Sequence, residues 1–206
     1  MFDESYTKLE LDDVASIIHE INKDVEGSIF DPLETTIMVI DVPFYDDYVF
    51  LDISDHATSP PLQRYAFQKK GVMEFTVLDW SYKVIYDLNL KVPIKLTEDN
   101  LIDYIRFFFG FVKGRHGRFI ICENADSIKW KDEPPDEVRL ALNTTIKPLK
   151  IIEKRKDGVF QVEAYMNLND SIFKTMLYIE PNGRITMSDH EILIDDVPVI
   201  DSVLGN

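Results

Sequence analysis

This 206-residue chain predicts an α+β fold, in which a long buried helix packs on a curved antiparallel β-meander and a helix-plus-strands unit comes first. Three observations carry that expectation. Apolar residues recur at helical spacing in two windows, roughly 9–26 and 98–113. Four β-rich segments after residue 144 are joined by short turn-type connections, and short connections force antiparallel neighbours. Hydrophobic residues make up 45% of the chain and aromatics 12%, with 13 Phe and 9 Tyr, which is enough apolar material for a substantial core.

The first window places Val14, Ile17, Ile18, Ile21 and Val25 on one helical face, with Asp12, Asp13, Glu20 and Asn22 elsewhere. Gly27 is set to end it. Asp31-Pro32 marks a turn, after which 35–40, 48–53, 62–68, 72–78 and 83–88 read as strands. Asp79-Trp80-Ser81-Tyr82 reads as the hairpin connection between the last two.

In the second window Thr97 is the expected N-cap, and Glu98 and Asp99 put negative charge in the first turn. Leu101, Ile102, Ile105, Phe108, Phe109 and Val112 form the apolar stripe, which Phe107 and Phe111 widen almost all round. That helix is expected to be the most buried and to touch more than one layer. Gly114 is placed to end it, and 118–122 reads as the following strand. Pro134-Pro135 opens a short helix over 136–142. Strands follow over 145–154, 159–168, 172–180 and 184–188, joined by Lys156-Asp157-Gly158, Asn169-Asp170 and Pro181-Asn182-Gly183. Phe160, Val162, Ala164 and Met166 alternate with Gln161, Glu163 and Tyr165, so the sheet has one covered face and one wetter face.

A buried helix ahead of a curved meander is the general layout of cystatin-like and nuclear-transport-factor-like folds, an analogy of element order rather than of motif. Two units are expected, 1–95 and 96–206, divided near Pro93 to Leu96; with no flexible linker there, one continuous domain is the alternative.

Charge excludes some classes of function. The chain carries 22 Lys plus Arg against 37 Asp plus Glu, a net −15, which argues against nucleic acid or an anionic membrane as partner. No apolar run reaches the roughly 18 residues of a spanning helix, and the acidic N-terminus differs from a secretory signal. Cys122 is the single cysteine, so an intrachain disulfide and a cysteine-rich zinc site are excluded and a reducing, cytoplasmic setting is expected. The acidity is local: residues 1–60 net −13, residues 61–130 net +3 and residues 131–206 net −5. That acidic segment is either a solvated face or a docking surface for a basic protein partner.

Several constellations are candidate sites. Asp52-Ile53-Ser54-Asp55-His56 puts two carboxylates and an imidazole at a strand end, a group able to orient a general base or a hard metal, though the spacing matches no specific metal motif. Lys113-Gly114-Arg115-His116-Gly117-Arg118 is the most basic hexapeptide; it sits at a helix C-terminus, where cations cap carbonyls and phosphate is repelled, so capping is expected, with a salt bridge to the acidic N-terminal segment and an anion or partner contact as the alternatives. Ser188-Asp189-His190-Glu191 closes the expected last strand and lies where a sheet cavity would open. His19 reads as an exposed helix residue and Cys122 as a small buried hydrophobe. Trp80 and Trp130 lie in expected connections as candidate partner anchors. No catalytic motif, cofactor motif or metal motif is present, so the expected function is a non-enzymatic interaction or regulatory module. The alternative is a small-molecule binder or enzyme using a cavity between the 98–113 helix and the C-terminal sheet, with Glu163, Tyr165 or His190 as polar contacts. The alternating stretch from Glu191 to Val203 leaves homodimer formation open.

Overall fold

The computed structural model describes residues 5–24, 29–57, 59–115, 117–128, 130 and 134–195. Its first helix, α1 (Leu11–Asp24), buries Val14, Ile17, Ile18 and Ile21. These are the positions that helical spacing selects. They pack on Ile37, Leu51, Ile53 and Ala66 of an antiparallel sheet. The sheet runs β1 (Thr7–Lys8), β2 (Thr35–Asp41), β3 (Tyr48–Asp55), β4 (Leu62–Lys69) and β5 (Phe75–Val77), in that spatial order. Successive side chains on a strand alternate faces. In β3, Leu51 and Ile53 therefore meet α1, while Tyr48 and Phe50 point the other way into a second cluster. Both faces of β3 are covered, which is why Tyr48 to Leu51 reads as a continuous apolar run.

Residues 83–88 are not a strand. They belong to α2 (Tyr82–Lys91), whose N-cap Ser81 accepts the Lys83 amide at 3.2 Å. Tyr86, Leu88 and Leu90 alternate with Asp87, Asn89 and Lys91 and imitate a strand, but the face that decides the matter is Ile85, Leu88 and Asn89, all buried and spaced three and four apart. Trp80 and Ser81 are accordingly a helix entry rather than a hairpin.

The helix α3 (Leu101–Phe111) buries Leu101, Tyr104, Ile105, Phe107, Phe108, Phe109 and Phe111. Its ends differ from expectation. Asn100, not Thr97, is the N-cap residue, and its amide spans the entry by donating to Pro43 and Lys95 carbonyls at 2.9 and 2.7 Å. Glu98 and Asp99 therefore lie in the preceding turn, and Asp103 is the acid of the first helical turn. At the other end Val112 leaves the helix in extended conformation, and Gly114 instead forms an isolated bridge with Gly117.

The second sheet contains β6 (Ile120–Ile121), β7 (Lys150–Lys154), β8 (Phe160–Leu168), β9 (Ser171–Ile179) and β10 (Ile185–Ile194). β7 to β10 form the expected meander, and β6 pairs with the far end of β8 on the same edge as β7. α4 (Asp136–Thr145) outlasts its expected end at Leu142 by three residues. With Cys122, Ala125 and Ile128 it covers the outer face at Tyr165 and Ile172.

One apolar cluster joins the two sheets. It contains Phe50 and Phe67 of the first, Phe107 and Phe111 of α3, and Phe160, Val162 and Leu177 of the second, so the core crosses the 95/96 boundary. Among the described residues no helix is long and apolar enough to cross a membrane.

Candidate functional site

A cavity of about 330 Å3 opens between α2, α3 and the start of β10. Five aromatic residues, Tyr82, Tyr86, Phe108, Phe109 and Phe119, line it. Tyr82 and Tyr86 lie one turn apart on α2 with ring centroids 5.6 Å apart, Tyr86 stacks on Phe108 at 5.6 Å, and Phe109 meets Phe108 and Phe119 edge-on at 5.4 and 6.4 Å. Met187 and Ile185 close the sheet side, and Arg184 is its charged lining residue.

A buried polar network fixes that corner. Asn89 of α2 donates to the Asn182 carbonyl at 3.0 Å and to the Tyr104 hydroxyl at 3.1 Å; Tyr104 donates to the Gly183 carbonyl at 2.6 Å, and Tyr45 donates to Asn89. The β9–β10 turn is thereby pinned to both helices, immediately before Arg184. Tyr86 Oη accepts the Ile185 amide at 3.1 Å. Burial raises the Tyr86 pKa, partly offset by that amide and by Arg184, so the hydroxyl keeps its proton at neutral pH.

A second neighbourhood gathers three of the sequence-selected residues around Tyr65. The Arg118 guanidinium lies 5.4 Å from the Trp80 ring centre and donates to the Gly110 carbonyl at 2.5 Å. Trp80 meets Tyr65 edge-on at 6.0 Å and stacks on Phe111 at 6.1 Å. Asp52 is opposite Tyr65 in the β3–β4 ladder. Burial raises the Asp52 pKa, with the Ser54 hydroxyl opposing, and burial followed by the Asp52 charge pushes Tyr65 up to about 12. A phenol held that firmly protonated is no general base near neutrality. Trp80 has φ of 67°, a left-handed conformation rare for a bulky residue, and its carbonyl accepts the Lys113 amide at 2.8 Å.

The remaining candidates do not converge. Asp52 and Asp55 point to opposite faces of β3 because three residues separate them. Asp55 is buried as a turn anchor that accepts the amides of Asp31 and Ala57, both at 2.8 Å, while His56 is exposed. The hexapeptide is split: Arg118 is buried, Arg115 is exposed and His116 lies outside the described residues. No ion pair among the described residues ties Lys113 or Arg115 to the acidic segment, whose Asp41 and Asp46 pair with Lys70 and Lys95. His190 is exposed in mid-strand, where β10 changes register between Ser188 and Glu191, and its ring rests on Phe173 at 5.6 Å. Glu163 pairs with Lys174 at 2.7 Å and Tyr165 is buried under α4. Trp130 packs, half-buried, against the same cluster. Among the described residues no three His, Cys, Asp or Glu side chains are placed to hold a metal.

Sequence reasoning selected Phe108 and Phe109 for the core but missed Tyr82, Tyr86, Arg184 and Met187 as cavity residues. The available signal was the four-residue spacing of Tyr82 and Tyr86 behind a Ser N-cap. Comparison with family models, curated proteins and solved structures gave no match to this chain.

Proposed function

We propose that this protein is a non-catalytic binding module holding a small, largely apolar molecule between α3 and the second sheet. The cavity of about 330 Å3 is the observation that carries the reading. It falls at the small end of the range for ligand pockets, about 300–1,000 Å3, and its wall of aromatic and aliphatic residues with a few polar ones is the usual composition of one. Binding is favoured over catalysis because neither Asp55, His56, Arg115 nor His190 lines this cavity. A neutral solvatochromic dye such as Nile red tests it. Saturable dye fluorescence is expected with the unmodified protein and its loss with Met187→Trp, which fills the space from β10. Equal dye binding by a folded Met187→Trp variant counts against the cavity as the site.

A second reading, docking of a basic protein partner, is supported by exposure of the first segment's acids. Glu10, Asp12, Asp13, Asp31, Glu34 and Asp47 are all exposed. Such binding weakens between about 0.1 and 1 M salt, as the Debye length falls from about 10 to 3 Å. Salt-independent capture of the partner removes the acidic surface from the account. The single cysteine is what supports a cytoplasmic setting for either reading.

A further inference from the structure

We infer that the ligand of this cavity is an organic anion, a carboxylate carried on an apolar body, with the carboxylate held at Arg184; the inference rests on the binding role proposed above. The chain as a whole repels anions, with a net charge of −15. Yet among the described residues the charged side chain that lines the cavity is an arginine, and no Asp or Glu lines it. The other lining residues with polar side chains are Tyr82, Tyr86 and Thr186. Because Tyr86 Oη already accepts the Ile185 amide, its own proton is left to donate.

A guanidinium in a cavity that Tyr86 also lines supplies donors that match an ionised carboxylate, which only accepts hydrogen bonds. Arg184 is also held ready for such a partner. The carbonyls of the two preceding residues are fixed by Asn89 and Tyr104, while its guanidinium enters none of the ion pairs among the described residues. Glu180, across the same turn, is engaged by the Asn182 amide at 3.3 Å and does not line the cavity. Val112 and Gly114 also line it, at the negative end of the α3 dipole. The anion therefore belongs at Arg184, with its apolar body toward Phe108, Phe109 and Phe119.

The test is calorimetric titration of the full chain with two matched pairs, naphthoate against naphthol and decanoate against decanol. Each carboxylate is expected to bind at least about tenfold more tightly than its alcohol, the effect of one charge-assisted hydrogen bond. Arg184→Gln, a change at an exposed turn, is expected to bring the carboxylate-to-alcohol affinity ratio from at least about tenfold to about one, with the circular dichroism spectrum showing that the variant is folded. Equal binding of acid and alcohol, blocked for both by Met187→Trp, overturns the anion inference and leaves the binding role standing. Absence of binding by all four compounds to the unmodified protein overturns both.

Discussion

Gly183 has φ of +81°, and a Cβ built there falls 2.5 Å from Asn89 Nδ2 and 2.6 Å from the Tyr104 hydroxyl. Gly71 has a similar φ of +72° but nothing within 4 Å of that position. The pair separates backbone strain from collision. Gly71→Ala is expected to cost about 1 kcal/mol, the left-handed penalty alone. Gly183→Ala should cost about 3 kcal/mol or more, since it adds rupture of a buried hydrogen-bond network. Urea unfolding midpoints measure both, and equal losses would show that the network contributes nothing. Cys122 is the second residue-level case. Burial pushes its thiol up to about 12, opposed by a weaker backbone contribution near Asn167, so it is expected to resist thiol reagents until the protein unfolds. Its identity as a buried small residue was legible in the apolar strand around it; the Gly183 network was not, because Asn89 and Tyr104 lie 93 and 79 residues from the Asn182 and Gly183 carbonyls they bond and meet the turn only through folding.

At the scale of elements, α2 and α3 show why period alone decides one helix and fails on another. The α3 stripe, from Leu101 to Phe111, has helical spacing and no competing alternation. α2 offers both periods over ten residues, and its outcome depends on whether Ile85, Leu88 and Asn89 find a shared partner surface. They find α3 and the β9–β10 turn. Ser81→Ala should therefore lower stability by about 1 kcal/mol through loss of the cap. Phe107→Ala should cost about 3–5 kcal/mol, because its ring packs on Phe44, Phe50, Phe67 and Phe111 and no neighbour can refill the space. Thermal denaturation distinguishes these two magnitudes. β10 is the complementary case: the polar run Ser188 to Glu191 looks like a strand end, yet a left-handed Asp189, φ 55°, lets the ladder shift and continue to Ile194.

For the whole molecule, the decisive feature is that one apolar cluster contains residues of both sheets. Phe50 and Phe67 from before residue 95 share a cluster with Phe160 and Leu177 from after it, so fragments 1–95 and 96–206 would each expose half of that cluster. A single unfolding transition is expected for the full chain and none for either fragment. Alkaline pH tests the same core. Burial raises Tyr45 and Tyr104 and brings Tyr65 and Cys122 to about 12, from ordinary values of 10.0 for the phenols and 9.0 for the thiol. The folded state thus keeps protons that the unfolded state has lost. Stability is intact below about pH 9 and falls as pH rises toward 12, by up to about 1.4 kcal/mol per pH unit for each group. The tyrosinate absorbance of Tyr45, Tyr65 and Tyr104 should appear together with loss of circular dichroism; free titration of every tyrosine at pH 10 in folded protein would contradict it.

Local signals were sufficient wherever a residue's partner lies within a turn or an adjacent strand. The α1 and α3 stripes and the short connections of the C-terminal meander are of that kind, and they define the α+β class. Net charge, too, is a property of the sequence. What tertiary structure decided is convergence. It sent Asp52 and Asp55 to opposite faces, drew Arg118 under Trp80 and away from the exposed Arg115, and turned an ambiguous segment into the helix that supplies Tyr82 and Tyr86. The cavity with Arg184 at its wall exists because three elements distant along the chain share one core, and no local period encodes where their unfilled space will fall.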